Sequence, residues 1–151
     1  MNSVFKIWKR NRELYQEFFE KYSLEQLNET PQGFSNNLIW NIGHVLIAQQ
    51  VLIYKSSGLE GYVSDDLIDR YKPGSRPTNP VSEADVMHIK DLMAQLVEKT
   101  EEDFNGGKFN IYNERTTSMG FHLATIEEAL TYNNYHEALH LGYMMSIRKL
   151  V

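Results

Sequence analysis

Apolar residues recur along this chain at three- and four-residue spacings, a rhythm that predicts four long helices. Over residues 2–22, Val4, Phe5, Trp8, Tyr15, Phe18, Phe19 and Tyr22 share one stripe. A short polar piece, Ser23 to Thr30, follows, and Pro31 and Gly33 end the region. The second helix is expected to begin near Ser35–Asn37, whose side chains can cap it. It runs through Leu38, Trp40, Ile42, Val45, Leu46 and Val51 to about Lys55, with Gly58 as a natural stop. Ser82 with Asp85 opens the third helix as a variant capping box. Val86, Ile89, Met93, Leu96, Val97, Thr100 and Phe104 then fall on one face, and Gly106-Gly107 ends it. The fourth opens with the capping box Thr125-Ile126-Glu127-Glu128 and continues to about Lys149. Arg148 and Lys149 there sit at the negative end of the helix dipole.

Residues 59–80 are a polar connection with Pro73, Gly74, Pro77 and Pro80, long enough for a crossover or a lid. Within it, Asp65 to Tyr71 is read as a short helical turn. Residues 108–124 are expected to be irregular or extended. No run alternates as a sheet would. The predicted class is therefore all-α: a four-helix bundle with a long crossover between helices 2 and 3, compatible with up-down-down-up order.

The chain has 151 residues, which predicts one domain over 1–151. Its formal net charge of −5 lacks the basic footprint of a nucleic-acid binder and the polybasic segment of a membrane-surface protein. Charges interrupt the apolar residues of the first ten positions, so neither a signal peptide nor a span is read there, and a cytoplasmic location is the expectation. Without cysteine there is no thiolate ligand and no disulfide. A bound metal would take nitrogen and oxygen ligands, and any thiol chemistry would need a small-molecule thiol.

The candidate chemistry lies in three of the five histidines. His136 and His140 are four residues apart on the fourth helix, so both rings point the same way and can reach one ion. Ala129, Tyr132, Asn133, Tyr143 and Ile147 share their face, which is read as inward. His44, in Trp40-Asn41-Ile42-Gly43-His44, shares an inward face with Asn37, Trp40, Ala48 and Val51. Gly43 beside it permits a close approach, by a ligand or by a packed neighbour. His44, His136 and His140 are thus candidate metal ligands. The competing reading is a buried polar network in which Asn37, Asn41 and Asn133 satisfy the rings. His88 and His122 are left outside the site.

His136-Glu137-Ala138-Leu139-His140 matches the H-E-x-x-H pattern of zinc peptidases, in which the glutamate activates water. A short all-helical chain offers no sheet to align a peptide, so a peptidase is the weaker reading. Glu137 is kept as a candidate catalytic base or acceptor beside the ligands, against the plainer reading of a solvated helix glutamate.

The order and spacing of three segments resemble the DinB-like superfamily, which includes the YfiT-like metal-dependent hydrolases. The segments are Leu38-Ile39-Trp40-Asn41-Ile42-Gly43-His44, then Met119-Gly120-Phe121 through Thr125-Ile126-Glu127-Glu128-Ala129-Leu130, then His136-Glu137-Ala138-Leu139-His140-Leu141-Gly142. The resemblance spans nearly the whole chain. It implies a four-helix bundle, commonly a homodimer, with one metal-binding histidine from the second helix and two from the fourth: His44, His136 and His140. It implies zinc, nickel or another divalent ion, and either hydrolysis or transfer chemistry on a low-molecular-weight thiol. It also leaves open a non-catalytic metal-binding or dimerisation protein of the stress response. One departure stands out: many members follow the last histidine with glycine and glutamine, and here Gly142 precedes Tyr143.

Overall fold

Six α-helices form, and five of them start where a side chain can take a free N–H of the first turn. They are α1 (Asn2–Lys21), α2 (Leu24–Asn28), α3 (Leu38–Gln49), α4 (Asp65–Tyr71), α5 (Glu83–Asn105) and α6 (Ile126–Ile147). Ser23, Asn37, Ser64, Ser82 and Thr125 each accept from the backbone N–H three residues on. At Ser82 the box is complete, because Asp85 reaches back to the Ser82 N–H. At Thr125 it is displaced by one residue: the Glu128 carboxylate accepts from the Ala124 N–H at 2.7 Å. The computed structural model describes residues 1–151. Its 64% helix against 3% strand makes the chain all-α.

Two local features depart from the sequence pattern. The polar piece after α1 is not a plain connection; it is α2, opened by a full Ser23/Gln26 capping box. The second long helix is not regular to its end. After Gln49 the backbone widens into a π turn over Gln50–Tyr54, tightens into a 3₁₀ turn over Lys55–Ser57, and stops at Gly58 with φ 68°. Such π turns insert one residue and swing the following side chains around the axis. The segment after α5 carries two short strands, β1 (Arg115–Thr116) and β2 (His122–Leu123), paired antiparallel.

α1 packs against α5 and α6, while α3 packs against α5, α6 and α4. α1 and α3 therefore face each other across the core, with α5 and α6 flanking both. The apolar interior falls into two clusters. The larger holds 20 buried residues, among them Tyr15, Phe18, Leu46, Ile47, Met93, Leu141 and Met144. The smaller holds 11, among them Phe5, Trp8, Leu52, Ile53, Val97, Leu130 and Tyr132.

Between the two clusters each long helix contributes a buried polar side chain. These are Arg12 on α1, Gln49 on α3, Thr100 on α5, and Asn133 with Glu137 on α6. Arg12 Nη2 lies 2.7 Å from Glu137 Oε1 and donates to Gln49 Oε1 at 2.9 Å. Gln49 Nε2 donates in turn to the Leu96 carbonyl and to Thr100 Oγ1, both at 2.9 Å. A polar layer thus runs across the molecule with its donors and acceptors largely matched, as buried polar groups require. No helix is long and apolar enough to cross a membrane.

Candidate metal centre

α3 and α6 bring His44, His136 and His140 together. One ring nitrogen from each lies within 4.8 Å of the others, a spacing at which the three can hold one metal ion. The ring centroids are 4.7 Å apart for His44–His140 and His136–His140, and 5.2 Å for His44–His136. Trp40 stacks on His44 at 4.9 Å, nearly parallel, and fixes the plane of that ring.

Two of the rings are oriented by protein acceptors. His44 Nδ1 lies 2.7 Å from the Tyr71 carbonyl oxygen at the end of α4. A carbonyl only accepts, so Nδ1 carries the proton and Nε2 keeps its lone pair. His140 Nδ1 lies 2.8 Å from Asn41 Oδ1. The Asn41 amide cannot turn round without loss, because its Nδ2 donates to Asn36 Oδ1 at 3.0 Å and to the Asn37 carbonyl at 2.7 Å. His140 therefore also presents Nε2 as a free lone pair. Metal-binding histidines are held in this way by acceptors on the far ring nitrogen. His136 differs: its Nδ1 is sealed from solvent and has no protein partner.

All three rings are held neutral. Burial pushes the His44 pKa below its usual value, against the opposing pull of the Tyr71 carbonyl. Burial, then the neighbouring His44, takes His136 down to about 4, and burial with both neighbours takes His140 down to about 3. A neutral imidazole is the form that binds a metal. An orphaned buried nitrogen, two rings with their lone pairs aimed by acceptors, and suppressed protonation together fit a divalent ion. They fit a closed network of asparagines less well. Of the asparagines weighed from sequence, Asn41 does meet a ring. Asn37 caps α3, and Asn133 Nδ2 donates to Glu137 at 3.0 Å.

The site is not buried at the centre of the core. His44 is 5% exposed, but His136 and His140 are half-buried at the margin of α6. The true core face of that helix carries Ile126, Leu130, Asn133, Glu137, Leu141 and Met144. Tyr143, expected inward, is exposed and leans edge-on against Phe34 at 5.3 Å. A cavity of about 350 Å³ opens beside His44 and His136, walled by α3, the π turn, the end of α4 and β1. A second cavity of about 360 Å³ meets His140 from the other side, next to Asn41, Leu139 and Tyr143. A cavity of about 490 Å³ beneath residues 75–81 is lined by Trp40 and Tyr71 but by no histidine, so its size carries no chemistry.

Glu137 is neither solvated nor free. It is 0% exposed. Its Oε1 accepts from Trp8 Nε1 and Arg12 Nη2, both at 2.7 Å, and from Asn133. Arg12 Nε lies 3.2 Å from each carboxylate oxygen. The solvated reading fails because an arginine on the apolar stripe of α1, between Trp8 and Tyr15, draws the carboxylate inward. That arginine was the available signal. His88 and His122 are exposed and apart from the cluster, with His122 3.4 Å from Glu114. Tyr71 was the ligand-orienting residue that sequence reasoning missed, because it acts through its backbone and its side-chain type carries no message.

A search of curated proteins finds no match to this chain. The sequence profile of the DinB superfamily matches residues 7–144, from the first turns of α1 almost to the end of α6, and so contains all three histidines. The chain belongs to the DinB superfamily.

Proposed function

We propose that the protein is a metal-dependent enzyme acting on small molecules, with His44, His136 and His140 as the ligands of a zinc or nickel ion. The observation that carries this reading is the pair of acceptors behind the rings: Tyr71 O on His44 and Asn41 Oδ1 on His140 leave a lone pair free on each, in a cluster with ring nitrogens within 4.8 Å of one another. Three imidazoles are the protein ligand set of an open site, not of a closed structural one. When bound, the ion supplies Lewis acidity that lowers the pKa of a water or small thiol beside it. The protein's own share is to hold the rings neutral and oriented. It also presents an apolar cavity that sheds water around a reactant. Transfer of a low-molecular-weight thiol is the specific reaction we favour, since the chain has no thiol of its own.

Glu137 is assigned a positioning role. Its carboxylate is committed to Arg12, Trp8 and Asn133, with no hydrogen bond to a histidine. That removes the support for a peptidase, whose glutamate must reach water. The packing of α1, α3, α5 and α6 supports a four-helix bundle in which the crossover through α4 joins the neighbouring helices α3 and α5.

The test is metal content by mass spectrometry on untagged protein, with His44→Ala beside it. About one ion per chain, lost in the variant, is expected. Absence of metal in both after reconstitution with zinc and nickel would refute the metal reading. Calorimetry with small thiols then separates an enzyme from a metal-binding protein without substrate. A non-catalytic dimerisation role has one observation in its favour: Tyr135, Leu139 and Tyr143 are exposed at four-residue steps along α6. Light scattering of Leu139→Glu against the parent protein tests pairing through that face.

A further inference from the structure

We propose that the cavity beside His44 and His136 selects small molecules with a terminal oxyanion, and that Arg115 is the specificity-determining residue that binds it. The inference rests on the metal reading above and names the ligand class of the same site.

The charge around this cavity runs opposite to that of the chain. The protein carries a net −5, yet no aspartate or glutamate lines the cavity, while Lys72 and Arg115 both do. The two cations are not equivalent. Lys72 Nζ is paired with Asp69 Oδ1 at 2.8 Å. Arg115 has no carboxylate partner, and its side-chain bond, Nη1 to Ser56 Oγ, is long at 3.4 Å. An exposed guanidinium without a carboxylate is a planar fork ready for one.

The remaining lining divides by chemistry. Ile47, Val51, Leu52 and Ile68 give apolar walls, while Thr117 and Ser118 add hydroxyls on the hairpin that carries Arg115. His44 and His136 line the same space, about 350 Å³, the size of a small ligand. Three neutral imidazoles contribute no negative charge to balance a divalent ion, and neither adjoining cavity offers a carboxylate. An anionic ligand would supply compensating charge that the lining does not. A molecule with a metal-seeking head, a short apolar body and an oxyanion tail satisfies all three regions at once. Carboxylate and phosphate share this chemistry.

The test uses the zinc-loaded full chain and hydroxamates of one length, whose common head engages the ion whatever the reaction. Their tails carry a carboxylate, a phosphonate, a methyl or an ammonium group, and affinity is read by calorimetry. The anionic tails are expected to bind about tenfold tighter than the methyl tail, with the ammonium tail weakest. The tighter anionic tail identifies carboxylate or phosphate as the natural feature. Arg115→Gln should erase this margin while leaving the methyl tail within about twofold, and Arg115→Glu should favour the ammonium tail. Arg115 is exposed, so both variants keep the fold, which circular dichroism and zinc content verify. Tail-blind affinity in the parent protein, or an equal loss for every tail in Arg115→Gln, overturns this inference alone. Failure to load either zinc or nickel overturns the metal reading, and this inference falls with it.

Discussion

Tyr71 meets His44 through its carbonyl, 2.7 Å from Nδ1, while its ring occupies the space that a side chain on Gly43 would need. A Cβ on Gly43 would lie 2.5 Å from Tyr71 Cδ1. One residue of α4 thus orients a candidate ligand and uses the neighbouring glycine as its seat.

Gly43→Ala should therefore destabilise the protein, although alanine is the better helix former by about 1 kcal/mol. Ejecting the buried Tyr71 ring costs about 1–3 kcal/mol and moves its carbonyl from His44. Urea unfolding and zinc titration should both show the loss, with zinc affinity down about tenfold or more. A stabilised variant with parental zinc affinity would contradict this.

Asn41→Ala removes the acceptor behind His140 without touching a proposed ligand. Zinc affinity should fall about 10- to 100-fold, the usual cost of losing such a partner. Direct competition with a chelator measures it, and an unchanged affinity would mean that Asn41 does not orient the ring.

Breaking the Arg12–Glu137 pair from one side leaves a charge stranded in the interior. Glu137→Gln should cost about 3–5 kcal/mol, whereas the apolar double variant Arg12→Met with Glu137→Leu should recover much of it. Comparison of the three urea midpoints decides. Glu137→Gln with parental stability would show that the carboxylate is not held as the distances imply.

The metal-free protein should lose stability as pH falls. The unfolded histidines titrate near 6.5, while folded His136 and His140 stay neutral down to about 4 and about 3, and His44 is shifted in the same direction. Below pH 6.5 the unfolded state binds protons that the folded state refuses, so stability declines until the folded values are reached. Each such histidine costs about 1.4 kcal/mol per pH unit over that window. Urea midpoints should be flat above about pH 7 and fall steeply from pH 6 to pH 4, and His136→Gln should shallow that slope. A slope unaffected by the substitution would count against the buried, neutral ring.

The helices were largely legible because apolar stripes and capping side chains act locally. Ser82, Thr125 and Gly58 mark their ends within a residue or two of where the backbone turns. Helical spacing pairs His136 with His140, and the family resemblance adds His44 from the second helix. The pieces that escaped are those decided at long range. The π turn over Gln50–Tyr54 has an ordinary helical sequence, and packing selects its wider bonding. Glu137 read as a surface residue because its partner, Arg12, lies 125 positions away. The spacing reads His136 and His140 on an inward face; they stand at its edge, because Asn133, Glu137 and Leu141 take the centre. An arginine and a glutamate each set within an apolar stripe are the readable sign of such a pair.

The polar layer between the two apolar clusters also limits how the helices can move past one another. An all-apolar interface tolerates a shift by one turn, about 5.4 Å, because one greasy contact replaces another. Here such a shift of α1 would carry the Arg12 guanidinium away from both Glu137 and Gln49 and bury it without an acceptor. α1, α3 and α6 are thus locked lengthwise at a single registry. The height at which His136 and His140 meet His44 is set by an arginine that touches none of them.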